Sequence, residues 1–203
     1  FLASPSEQSL STAKESWVNA RLPYLQTEVY RFYGGPIDDE DGPEGLLNAW
    51  PMDEAYVDYV KEVPESGIIN DIESYSKITK DLLISLNEKD GEENISCGYH
   101  AIEFLLWGQD FQANGPGDRP HTDYTTAANS DRRKEFLKIT VSLLLENLQS
   151  LINEWAPSQE NYRSTLLKED TLEAIQKILS GMTLLSGFEL AGERLLVAYE
   201  SRA

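Results

Sequence analysis

The chain has 203 residues, with 17 Lys plus Arg against 35 Asp plus Glu, and a formal charge of −18. Hydrophobic residues at 40% and charged residues at 26% describe a globular chain able to bury a core, not a disordered tail. The charge leaves no basic footprint for nucleic acid or anionic membrane and favours cations instead; no run approaches the roughly 18 apolar residues of a membrane span, and a lone Cys97 excludes an internal disulfide.

Phe1 opens the chain without an initiator Met or a basic-then-apolar leader, which reads as a trimmed start with any export signal upstream. Leu10, Ala13, Trp17, Ala20 and Tyr24 step by 3 and 4, the stripe of an amphipathic helix. Ser9 or Ser11 caps its start, and Gly34-Gly35-Pro36 should stop it near Tyr33. Continuing the stripe puts a carboxylate, Glu28, on the apolar face. Residues 34–52 form a loop rich in Gly, Pro and acid. A short helix is expected over about 53–60 with Asp53 at its start, then a loop over 64–75, then a helix over about 76–88.

Residues 94–108 are apolar nearly all round, the pattern of a helix buried on most sides. Residues 109–130 make a long loop, and loops of that length often carry function. A long helix follows from Ser130 or Asp131 to about Trp155, where Pro157 ends it. Asp170 with Glu173 starts the last helix, with Ile175, Ile178, Met182 and Leu185 inward, then Glu189, again an acid on the apolar stripe. Small pairs such as Ser180-Gly181 allow another backbone to approach closely. No strand-like alternation is present, and five or six helices fit an all-α helical bundle.

The chemistry concentrates at His100-x-x-Glu103. A spacing of i, i+3 puts both side chains on one helix face, where an imidazole nitrogen and a carboxylate oxygen can bind one divalent metal. The bland alternative is a core histidine hydrogen-bonded to its own helix neighbour, and the short pattern alone does not separate the two. Glu28 and Glu189 sharpen the question, because a buried carboxylate needs a cation, a proton or several donors. Either a metal or one of Arg21, Arg31 and Arg194 meets that need.

Other chemistries find less support. Asp38-Asp39-Glu40-Asp41-Gly42 lacks the ligand spacing of an EF-hand and reads as a solvated turn. Asp53, Asp110, Asp118 and His121 sit at helix ends or in loops, where an ordinary surface role is the default. There is no His-Glu-x-x-His, and Phe104 rules out the inverted zinc motif. No Gly-x-Ser-x-Gly elbow, phosphate loop or dinucleotide fingerprint is present. Cys97 in apolar surroundings is inert, and Trp17, Tyr24, Tyr30, Tyr99 and Trp107 read as core.

The segment Gly98-Tyr99-His100-Ala101-Ile102-Glu103 resembles the Gly-x-His-x-x-Glu signature of the imelysin family. Arg21-Leu22-Pro23-Tyr24-x-x-Thr27-Glu28, Tyr33 to Asp38, Trp50 to Tyr56 and Ser186 to Arg194 also look like blocks of that family, in order along nearly the whole chain. The resemblance implies an exported, periplasmic protein, often lipid-anchored to the outer membrane. It implies an all-α fold of two helical-bundle halves, of which residues 1–203 are the N-terminal one, so that a second helical half would be a partner missing from this sequence. It places a site between the halves near Gly98, His100 and Glu103. Glu28, Asp53 and Glu189 would be further metal ligands, with Tyr56, Tyr99, Glu193 and Arg194 around them. The implied cofactor is a divalent or ferric ion, iron before zinc or copper, and the implied role is metal binding linked to iron acquisition and iron-transport components. A metallopeptidase and a metal-free ligand-binding scaffold are the alternatives.

Overall fold

The computed structural model describes residues 1–200; the last three positions of the expected domain, 201–203, lie outside the described residues. The fold is all-α, and among the described residues the only β-pairing is an isolated bridge between Val60 and Val63. No helix among them is long and apolar enough to cross a membrane. The chain divides into two compact units: Phe1–Arg21 with Gly45–Leu148, and Leu22–Glu44 with the segment from Gln149 onward.

The first unit is organised around α5 (Gly98–Trp107), whose Tyr99, Ala101, Ile102, Phe104, Leu105 and Leu106 are all buried, as its apolar composition requires. Short helices α2 (Glu44–Leu47), α3 (Glu54–Val57) and α4 (Lys80–Leu86) contribute Leu47, Val57 and Leu83 to the same core. Phe136, Leu137, Leu143 and Leu144 come from α6 (Ser130–Trp155). α4 is shorter than the expected 76–88. Thr79 accepts from the Leu82 N–H and fixes its start, and Asn87 leaves the helix to donate to the Gly45 carbonyl and accept from the Ser96 and Cys97 N–H groups. In α1 (Glu7–Leu25) the expected stripe holds only in part: Leu10 and Tyr24 are buried, Trp17 is half-buried, and Ala20 is exposed.

The loops of this unit are pinned by charge. Asp58 is fully buried and takes Arg133 on both oxygens, Nε to Oδ2 at 2.6 Å and Nη2 to Oδ1 at 2.9 Å, with Arg119 Nη1 on Oδ2 at 2.6 Å. Arg119 Nη1 also reaches Asp123 at 2.9 Å, and the Tyr59 hydroxyl donates to the same Asp123 oxygen at 2.7 Å. Arg132 donates to the backbone carbonyls of Ile68, Ile69, Tyr75 and Ser76. Two arginines in the first turn of a helix oppose its dipole, yet here they hold the loops that face them. The long loop 109–130 is accordingly structured. It contains a 3-10 turn, His121–Tyr124, and the Tyr124 hydroxyl, buried in the core, donates to the Leu105 carbonyl.

In the second unit the first helix stops at Leu25 rather than near Tyr33. Thr27 turns back on the Tyr24 carbonyl with both its N–H and its hydroxyl, and a 3-10 turn, Glu28–Tyr30, follows. After α6 the chain turns at Pro157 into α7 (Tyr162–Leu166), opened by an Asn161–Ser164 capping box. α8 (Thr171–Leu184) starts at the expected Asp170, whose carboxylate accepts from the Leu172 N–H. Gly181 meets the Val29 carbonyl so closely that an added Cβ would lie 2.3 Å from its oxygen. The expected inward stripe is corrected: Ile175, Ile178 and Met182 are exposed, because α8 packs through its small residue instead. Beyond it, Leu185–Leu196 is π-helical, not the α-helix that steps of 3 and 4 imply, and α9 (Val197–Glu200) closes the described chain.

Burial raises the pKa of Asp58, but the Arg133 hydrogen bonds and the Arg119 charge outweigh it and hold the carboxyl below its ordinary 3.8. Its contribution to stability is therefore fully present above that value and is lost as the pH falls through the lowered one. Acid unfolding followed by circular dichroism should show a limb below about pH 4. Asp58→Asn should flatten that limb and cost about 3–5 kcal/mol in urea denaturation at neutral pH, because the buried Arg133 loses its counter-charge and Arg119 keeps only Asp123.

Candidate metal centre

The Gly-x-His-x-x-Glu segment begins where α5 begins. Gly98 has φ +84°, and a Cβ there would lie 2.6 Å from the Leu47 carbonyl oxygen, so only glycine lets the end of α2 press against the start of α5. Tyr99 is buried; its carbonyl accepts the Trp17 indole N–H at 3.0 Å, and the Arg21 guanidinium lies 4.8 Å from its ring centroid. Burial pushes the neighbouring Cys97 thiol up to about 11, which leaves it protonated and unreactive at neutral pH.

His100, Glu103 and Trp107 are the only residues of α5 that are not buried, and they follow one another at steps of 3 and 4. The helix is buried as its composition requires, but these two polar side chains lie on its single open stripe and not in a dry interior. His100 Nδ1 and Glu103 Oε2 are 2.9 Å apart, with side-chain exposures of 17% and 43%. A carboxylate only accepts, so Nδ1 donates to it, and in the neutral imidazole Nε2 keeps its lone pair. Trp50, 68% exposed, lies against the imidazole with ring centroids 4.7 Å apart. The ring is thus held by Glu103 at one edge and flanked by an indole tilted 53° to it.

The other expected site residues of this unit have structural partners. Asp53 is the N-cap of α3, accepting from the Ala55 N–H at 2.9 Å. The Tyr56 hydroxyl donates to the Leu86 carbonyl at 2.8 Å.

Glu28, Glu189 and Arg194 come together in the second unit. Arg194 Nη2 donates to Glu28 at 2.9 Å and to Glu189 at 3.0 Å. The π register explains the second contact, since residues five apart lie about one turn apart there and face away from each other in an α-helix. Glu28 is 2% exposed, so the guanidinium supplies the positive charge that its burial requires. The carboxylates in turn stabilise the charged Arg194, the Glu28 hydrogen bond most of all. Glu193, on the same π segment, is exposed. Among the described residues, no group of three or more His, Cys, Asp or Glu side chains converges as a metal cluster.

A metal fits the His100–Glu103 pair in one specific way. The free Nε2 is a donor with the correct tautomer already set, and a carboxylate on the opposite imidazole nitrogen is the arrangement that orients histidine ligands in metal sites. Sequence reasoning singled out this pair but not Trp50 beside it, because a contact between a loop and α5 leaves no periodic signal.

Gly98→Ala should cost about 2–4 kcal/mol in urea denaturation, through its φ and the Leu47 clash. Arg194→Met should cost about 1–3 kcal/mol, because it strands the buried Glu28 carboxylate.

Comparison with known proteins matches the imelysin family model to residues 1–203. The chain is 26% identical over 206 aligned residues to Iron-regulated protein A of Synechococcus elongatus, covering 96% of this chain and 45% of that protein. It therefore spans about half the length of the curated relative it matches. Because the family model matches the full length, the chain belongs to the imelysin family.

Proposed function

We propose that the chain is a metal-binding module of an iron-handling protein, with His100 Nε2 as a metal ligand and Glu103 orienting the imidazole or sharing the ion. The observation that carries this reading is the Nδ1–Oε2 contact of 2.9 Å, which leaves one imidazole nitrogen free on the open stripe of α5. The name of the iron-regulated relative and the family's classification among peptidases both support a role tied to metal. Iron is the first candidate on that relationship, with zinc and copper as comparators. Glu28 and Glu189 already share Arg194, and Asp53 caps α3, so this reading does not give them to the metal.

The same reading assigns the protein to an exported, periplasmic setting with an outer-membrane lipid anchor, on the resemblance of its sequence blocks. A second helical half is its proposed partner. Two facts support it: the chain covers 45% of its relative, and the exposed Leu172, Ile175, Leu179 and Met182 of α8 repeat at steps of 3 and 4. Iron-transport components are proposed as functional partners on the same basis.

The peptidase alternative draws on the family's classification, and a bound metal there would supply an activated water. The test covers both. Titration calorimetry of ferric, zinc and copper ions should give saturable binding to the wild-type chain and none to His100→Ala. Glu103→Gln should weaken binding about 10–100-fold. Equal affinity in all three proteins removes the reading. Chelator-sensitive cleavage of a peptide library that disappears in Glu103→Gln would replace it with the peptidase.

A further inference from the structure

The buried guanidinium of Arg119 is only partly used. Its Nη1 serves both Asp58 and Asp123, while Nε and Nη2 are buried with no hydrogen-bond partner. Arg133 shows what that edge is built to do: its own Nε and Nη2 grip the two oxygens of Asp58 in parallel. Two parallel N–H donors match a carboxylate, and a charged donor pair buried without an acceptor is costly.

A cavity of about 290 Å³ lies beside it, lined by Arg119, Lys61, Tyr59, Trp107, Phe111 and Asp118 among others. Gly108 forms part of the wall, and a Cβ placed there would be 3.5 Å from Arg119 Nε, so that buried nitrogen lies close behind the wall. The loop is clamped in this arrangement by the Arg119 N–H on the Trp107 carbonyl at 2.8 Å. Tyr59 and Phe104 stack on the guanidinium, each ring centroid 5.1 Å from it, and the Lys61 ammonium lies 5.1 Å from the Phe111 ring. The cavity thus combines an unpaired guanidinium edge close behind its wall with a second cation and three aromatic side chains in its lining.

From this we infer a binding site for a small carboxylate carrying a flat, apolar body. The carboxylate would take the Nε–Nη2 edge of Arg119, and the body would pack between Trp107, Tyr59 and Phe111. Asp58 and Asp123 on Nη1, and Asp118 on the wall, offset the local positive charge, so the paired donors and the rings carry recognition rather than net charge. The site is independent of His100 and stands or falls separately from the metal reading.

The test is an NMR titration of the wild-type chain with benzoate, with benzyl alcohol, acetate and inorganic phosphate as companions. Benzoate should move the Arg119 Nε–H and Trp107 indole N–H resonances, acetate should move them only at higher concentration, and benzyl alcohol should not move them. Arg119→Ala would strip Asp58 of a partner and is a poor probe. Lys61→Gln and Phe111→Ala, both on the exposed rim, should each weaken benzoate about three- to tenfold with unchanged melting temperature. No perturbation at millimolar benzoate, equal shifts with benzyl alcohol, or unchanged affinity in both rim variants would overturn the site. Phosphate binding as tightly as benzoate would overturn the ligand class.

Discussion

Asp58 is cut off from solvent, so every lone pair it uses must be met by protein donors, and the first unit is arranged to do that. Arg133 from α6 takes both oxygens, Arg119 takes one, and the Asn70 amide completes the set at 3.2 Å. Those donors come from the middle of the 109–130 loop, the start of α6 and the loop after Gly67. One carboxylate therefore ties together three segments that are distant in sequence. Breaking a buried pair costs far more than forming it gains, so such a network specifies a single arrangement of loops even where its net stabilisation is modest. The loops it fixes lie over the far end of α5, and the Tyr124 hydroxyl on the Leu105 carbonyl closes that side.

α5 is then free to be almost wholly apolar. Its start is set by Gly98 under the Leu47 carbonyl, its flanks are buried, and one narrow stripe remains polar or open. His100 and Glu103 occupy that stripe. Gly98 thus has a packing role, while His100 and Glu103 pair with each other and carry the proposed metal chemistry. Their separation by three residues is what one helix turn needs to join imidazole and carboxylate. A histidine fixed at Nδ1 costs little further ordering when Nε2 takes a ligand, which is the physical basis of the proposed metal role.

Much of this was legible in the sequence where the signal is local. The apolar run around residue 100, the Ser130 start and Pro157 stop of α6, and the Asp53 and Asp170 caps all follow from neighbouring residues. The Asp58 network was not legible, because its partners lie 61 and 75 positions away and a surface Asp looks the same in sequence. Glu28 is buried, but in a 3-10 turn beyond the first helix rather than on that helix's stripe, and its partner proved to be Arg194, 166 positions on, one of three arginines that the sequence offered equally. The π register from Leu185 also escaped, since its apolar and small residues fit a 3.6 period well enough to hide the five-residue step from Glu189 to Arg194. The open stripe of α5 was hidden for a related reason: hydropathy marks the helix as buried but does not say which two polar groups reach its surface.

The central claim is that the imidazole of His100, oriented by Glu103, presents Nε2 to a metal ion. Anomalous diffraction from crystals grown with ferric or zinc ions tests it most directly. The account predicts a peak about 2.1 Å from His100 Nε2, with the Nδ1–Glu103 contact intact or Glu103 turned to the same ion. A map with no peak at His100, or with the ion between Glu28 and Glu189 and Arg194 displaced, would contradict it.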